Sequence, residues 1–232
     1  MEAKSIKELN EKVQNELIVE IHRPKPLADQ DAFNSWILGH LNELALVFSK
    51  GKRKFEVTDE NHELFSAVFA YLNRSENDQL LMYQGRKLEL EKGLLLMGNY
   101  GIGKTLLLTC IFQQRQKLEL TGRFCSAQQV FNHNKKHLEE LIGKDQFGLF
   151  LDDIGEEPNV ANDFGTKETP VGNVIKQRVN AWERLPESPK LFMSTNCTEE
   201  VLKQVYGGRI VSRTFGACNV LVSKQKTDYR KV

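Results

Sequence analysis

Hydrophobic and polar positions follow two different rhythms along the chain. In the first third, apolar residues recur at helical spacing. Ile6, Leu9, Val13 and Leu17 predict an amphipathic helix over residues 5–17, with Ser5 and Glu8 spaced as a capping box. His22–Pro26 holds two prolines and breaks the chain. Phe33, Trp36, Ile37, Leu41, Leu44, Ala45 and Phe48 form the broad apolar face of a second helix over 31–48. Leu64, Phe65, Val68, Phe69 and Leu72 predict a third, with Thr58 or Asp59 as its cap.

The rhythm changes near residue 90. Short apolar runs now alternate with longer helical segments. Strands are expected at Leu94–Met97, Arg123–Ser126, Phe147–Leu151, Leu191–Thr195 and Asn219–Val222. Helices are expected over 104–120, 127–142, 171–185 and 198–205, with a helical turn over 209–215. Such alternation predicts an α/β fold, with a five-stranded parallel sheet sandwiched by helices. The polar stretch Asn73–Asp78 separates the two patterns. The expected organisation is therefore a small helical region over 1–85 and a nucleotide-binding domain over 86–232.

Composition narrows the class. Of 232 residues, 40% are hydrophobic and 27% charged, as in a soluble globular protein. The net charge of +1 leaves no global field to attract nucleic acid, so any such contact must be local. A candidate is the turn Lys50-Gly51-Lys52-Arg53-Lys54, which otherwise reads as a solvated turn. Cys110, Cys125, Cys197 and Cys218 are scattered and form no C-x-x-C pair, which suits free thiols in a reducing compartment. There is no apolar run long enough for a membrane span, and a cytoplasmic location is expected.

The chemistry is concentrated after the first strand. Gly98-Asn99-Tyr100-Gly101-Ile102-Gly103-Lys104-Thr105, followed by Leu106, fits G-x-x-x-x-G-K-[ST], the Walker A phosphate-binding loop. Its glycines let backbone N–H groups close on an anion, and the following helix points its positive end there. Lys104 can reach the β- and γ-phosphates of ATP, and the Thr105 hydroxyl can ligate Mg²⁺. The third strand runs into Asp152-Asp153-Ile154-Gly155, two carboxylates at the ligand-facing end of a parallel strand, as in Walker B. Asp152 would hold Mg²⁺, and Asp153 would orient and deprotonate the attacking water. Asn196 follows the fourth strand, where an amide could contact a γ-phosphate or simply cap a helix. Arg209 and Arg213 are four apart and share a helical face, which by residue type alone suits a surface helix as well as a phosphate contact. No Asn-Lys-x-Asp guanine motif is present, which argues against a GTPase.

Taken together, Walker A, Asp-Asp-Ile-Gly, Ser-Thr-Asn and Tyr-Gly-x-Arg-x-x-Ser-Arg, in this order and spacing, resemble the DnaC/IstB-type AAA+ ATPases. These are helicase loaders and related transposition ATPases. The resemblance runs from about Leu94 to the closing Asp228-Tyr229-Arg230. It implies that Asn196 is the sensor-1 residue and that Arg213 is an arginine finger completing a neighbour's site. It further implies that Arg209 is an accessory arginine and Arg230 a tail sensor. Asp153 stands where many relatives have Glu. Nineteen residues follow Arg213, so no C-terminal lid is expected in this sequence. The implied function is a slow, assembly-dependent ATPase of DNA replication, monomeric alone and oligomeric with ATP. Its implied partners are a replicative helicase, or a transposase, and single-stranded DNA, with Lys135, Lys136 and His137 in the segment Phe131–Ile142 as the residues implied to contact the DNA. The alternatives are a transposition ATPase on duplex DNA and a nucleotide-binding module with little hydrolysis.

Overall fold

The computed structural model describes residues 30–75, 77–113, 122–132, 135–142, 148–158, 169–184, 190–225 and 228. Five strands form one parallel sheet: β3 (Gly93–Met97), β4 (Gly122–Ser126), β5 (Gly148–Asp152), β6 (Leu191–Thr195) and β7 (Cys218–Val222). Their spatial order is β4-β5-β6-β3-β7. Leu94 lies opposite Phe192 on one side and Asn219 on the other. β3, β5 and β6 are buried at every position, which explains their apolar runs without polar alternation; the polar residues Asp152, Ser194 and Thr195 come only at the ligand-facing ends.

Alternation along β3 sends Leu94 and Leu96 to one face and Leu95 and Met97 to the other. On the first face lie α1 (Gln30–Phe48), α2 (His62–Leu72) and α3 (Lys104–Gln113). Phe33, Ile37, Leu41, Phe65 and Phe69 join Leu94, Leu96, Phe150 and Phe192 there in one core. The Phe150 and Phe192 rings stack across β5 and β6 at 4.6 Å and 8°. The helical segment that opens the described chain thus shares its apolar interior with the sheet. On the second face lie α4 (Ala127–Asn132), α5 (Lys135–Ile142), α6 (Pro170–Arg184), α7 (Glu199–Tyr206) and α8 (Gly208–Ala217).

Each expected strand is present, shifted by at most one residue at an end. Phe147 and the predicted helix over 5–17 lie outside the described residues, as does the part of the expected helix over 104–120 that follows Gln113. The segment 127–142 contains two helices, α4 and α5, rather than the one expected. The expected cap of α2 is corrected. Asn61, not Thr58 or Asp59, is the N-cap residue; its side chain is buried, accepting from Thr58 N at 2.8 Å and donating to Glu56 O at 3.0 Å. A hairpin was not expected: β1 (Met82–Tyr83) and β2 (Arg86–Lys87) pair antiparallel around Gln84 and Gly85, both at positive φ. Tyr83 pins it to the sheet by donating to Val222 O at 2.8 Å. Buried Asn219 fastens the approach to β3, exchanging bonds with both backbone groups of Glu89 and donating to Gly93 O at 3.1 Å.

Candidate functional site

The C-terminal ends of β3, β5 and β6 lie side by side, and the loops leaving them converge. Gly98 to Gly103 turns between β3 and α3, with Gly98, Gly101 and Gly103 all at positive φ. Gly101 admits no other residue without rearrangement, because a Cβ there would overlap the Asp228 carboxylate. Behind the loop, a Cβ on Gly103 would stand 3.9 Å from the Phe65 ring and 4.0 Å from Phe55, so the aromatic core borders the phosphate loop. Ile102 is buried beneath it, and Tyr100 stands exposed at its tip.

Lys104 is 6% exposed. Its ammonium donates to Gly98 O at 2.8 Å, Asn99 O at 2.7 Å and Asn196 Oδ1 at 2.5 Å. It is held across the mouth of the loop, where an incoming phosphate would exchange for these acceptors. Beside it, Thr105 donates to Asp152 Oδ1 at 3.2 Å, and Ser194 donates to the same oxygen. A hydroxyl and a buried carboxylate oxygen this close are hard oxygen donors, the pair a Mg²⁺ ion takes while keeping water and phosphate as its other ligands. Among the described residues no cluster of three or more His, Cys, Asp or Glu side chains could hold a metal by itself.

Asp153 lies just past β5 with φ at 55°. A non-glycine residue in this region is uncommon and is fixed by its surroundings. Its N–H donates to Ser194 Oγ at 3.1 Å, and its Oδ1 accepts from Asn196 Nδ2 at 3.1 Å. Burial holds its pKa above the ordinary carboxylate value, reinforced by Asp152 and Glu156 and opposed by Lys104 and Asn196. Asn196 therefore joins Lys104 to Asp153, and its amide also donates to Glu156 Oε1 at 2.5 Å. Glu156 in turn accepts a hydrogen bond from Tyr100, which raises the tyrosine pKa. The reading from sequence missed Glu156, whose position becomes evident only when two loops meet.

Two findings stand apart from this cluster. Arg213, on α8, directs its hydrogen bonds at Glu183 of α6, with Nε on Oε1 at 2.9 Å and a second bond to Oε2. The pairing raises the Arg213 pKa and lowers that of Glu183. Arg209 is exposed on the same helix and also lies in the field of Glu183. Arg230 lies outside the described residues, as do the side chains of Lys135, Lys136 and His137.

No family model matches the chain. Among solved structures, a DnaC helicase loader superposes with a TM-score of 0.51 over 73% of this chain and 93% of that one, at 15% identity. The chain has the AAA+ P-loop fold. It resembles the DnaC/IstB-type members of the AAA+ group. The AMPPCP-bound DnaA of Aquifex aeolicus gives a TM-score of 0.51 at 18% identity over 76% of this chain and 50% of that one. DnaA bound to AMPPCP and single-stranded DNA gives 0.52 at 20% identity over the same shares. Among curated proteins, the replicative helicase loader DnaI of Bacillus subtilis (strain 168) is 25% identical over 156 residues, 61% of this chain. That match spans 47% of DnaI, so the chain corresponds to about half the length of this relative. Among the described residues, no helix is long and apolar enough to cross a membrane.

Proposed function

We propose that this chain is a Mg²⁺-ATP-dependent AAA+ switch of the helicase-loader type, acting in DNA replication. The observation that carries the proposal is the convergence of Lys104, Thr105, Asp152, Asp153 and Asn196 on one point, while Arg213 is turned away on α8. The loop from Gly98 to Leu106 wraps the triphosphate, and Lys104 exchanges its backbone acceptors for the β- and γ-phosphates. Thr105 and Asp152 would hold Mg²⁺, which would supply charge neutralisation at the phosphates. Asp153 accepts the proton of the attacking water, and Asn196, already bonded to it, orients that water against the γ-phosphate. Arg213 and Arg209 act on the site of a neighbouring copy, and Arg230 contributes from the tail. On this reading the chain is a cytoplasmic protein that can be monomeric alone and assembles with ATP.

The proposed partners are a replicative helicase, engaged through the helical region over residues 1–85, and single-stranded DNA, engaged through the α5 segment. The likeness to DnaI and DnaC supports the first, and the likeness to DnaA supports the second. A second reading, a nucleotide-binding module with little hydrolysis, is favoured by one observation: Asp153 is a short acid already engaged by Asn196.

The test is steady-state ATP turnover with and without DNA, using Lys104→Ala as the blank. Stimulation by single-stranded DNA is the expected result. Stimulation by duplex alone would replace the loader with a transposition-type ATPase. Turnover at the blank level under every condition would leave the binding module in its place.

A further inference from the structure

The loop that carries the two acids continues into a second, buried polar cluster. The Gly155 N–H is shared between the Tyr206 hydroxyl oxygen at 2.7 Å and Glu157 Oε2 at 2.9 Å. The same hydroxyl donates to Glu157 Oε1 at 2.6 Å. Glu157 and Tyr206 are 4% and 6% exposed, and each carboxyl oxygen has a partner, as burial of such a group requires. Gly155 itself is at φ 89°, where a Cβ would press on Leu202 and Cys197.

The position of this cluster gives it a role. On one side, the chain from Asp153 to Gly155 is laced to the end of β6. Asp153 N–H bonds Ser194 Oγ, Ile154 N–H bonds Ser194 O at 2.9 Å, and Thr195 Oγ1 donates to Ile154 O at 2.6 Å. On the other side, Tyr206 is the last residue of α7, and Gly207 alone separates it from α8, which carries Arg209 and Arg213. Its ring is seated on α6, where a Cβ on Gly172 would lie 3.1 Å away. Beneath α8 lies a cavity of about 10 Å³ lined in part by Leu95, Ile154, Tyr206, Val211 and Thr214. A void that small is no more than water-sized, so the joint is fixed at Tyr206 and α8 follows it.

We infer that Tyr206, held by Glu157 and Gly155, is a positioning residue that ties the α7–α8 joint to the acid loop and thereby sets the aim of Arg213 at a neighbour's site. The inference rests on the reading of Arg213 as a finger acting between copies. A purely structural Glu157–Tyr206 pair would hold α7 in place and have no effect in a second subunit.

Subunit mixing separates the two. Arg213→Ala chains keep a complete site and lack the finger; Lys104→Ala chains have a disabled site and keep the finger. Mixed, they are expected to recover turnover that neither shows alone. Adding Tyr206→Phe to the Lys104→Ala donor removes one hydroxyl and keeps the ring. The expected result is a loss of roughly tenfold in the recovered turnover, in line with the cost of a sub-ångström misalignment of a catalytic group. ATP affinity of the Tyr206→Phe single variant should stay within about twofold, as it contacts no phosphate. Glu157→Gln in the donor keeps one acceptor for the hydroxyl, and a smaller loss is expected. Full recovery with both donors overturns the inference and leaves the finger reading standing. No recovery in the parent mixture of Arg213→Ala and Lys104→Ala overturns the finger reading itself, and this inference with it.

Discussion

Replacing Asp153 by Asn should make the protein more stable and far less active. The new amide keeps an oxygen to accept from Asn196 Nδ2, and the backbone bond to Ser194 Oγ is untouched. Asn tolerates the φ of 55° as well as Asp does. What disappears is a charge that burial disfavours and that Asp152 and Glu156 repel. The lost attraction to Lys104 offsets part of this, so the net gain should be about 1 kcal/mol, within the range for relieving a strained functional site. For a chain of this size that raises Tm by roughly 2–4 °C. The gain depends on pH. Asp153 has a folded pKa above the unfolded 3.8, so the folded state takes up a proton more readily than the unfolded one. Its contribution favours the fold below 3.8 and is lost as pH rises through the folded pKa. The advantage of Asn should thus be full at pH 7.5 and shrink on acidification toward 3.8. Thermal melts at pH 7.5 and 4.5 and ATP turnover at pH 7.5 measure the three quantities. Turnover should fall by about 10²–10⁴, as when a general base is removed. An unchanged or lower Tm at pH 7.5, or the same gain at both pH values, would refute the electrostatic account.

Lys104→Ala should weaken ATP binding by about 2–3 kcal/mol, roughly 30- to 150-fold in Kd, because a charge-assisted phosphate contact is lost; calorimetric titration measures it. The Lys104 bonds to Gly98 O, Asn99 O and Asn196 must break on binding, which keeps the figure below the gross strength of the new contact. Glu183→Ala releases Arg213 from an exposed pair. It should leave Tm within about 1 °C, as surface ion pairs contribute little, and raise turnover at protein concentrations where assembly is incomplete. Phe150→Ala removes a fully buried ring stacked on Phe192, and urea titration should show a loss of about 3–5 kcal/mol.

The strands were legible because burial on both faces leaves continuous apolar runs, as in Leu94–Met97 and Leu191–Met193, bounded by polar residues. The phosphate loop was legible because its chemistry is local, with glycine, lysine and threonine acting at fixed offsets. The hairpin over 82–87 was not, since Gln84-Gly85 lacks the Asn-Gly or Asp-Gly signal of such turns and Gln84 is held in place by Glu63 and Val222. Asn61 was passed over as a cap because its value lies in bonds to Glu56 and Thr58, which form only once the loop before α2 has turned back. The partnership of Glu157 and Tyr206 spans 49 residues and could not be read from spacing. The Glu183 partner of Arg213 belongs to the same class, because it depends on α6 crossing α8.

The placing of Phe55 and Phe65 beside the phosphate loop brings two distant parts of the chain under one equilibrium. A nucleotide that stiffens Gly103 also stiffens the rings behind it, and with them α2. Amide hydrogens of α2 should exchange more slowly when ATP is bound. Linkage requires the converse: whatever grips α1 and α2 and changes how Phe65 packs must change nucleotide affinity by the same factor. A protein captured by these helices would therefore report its arrival at the P-loop without touching it.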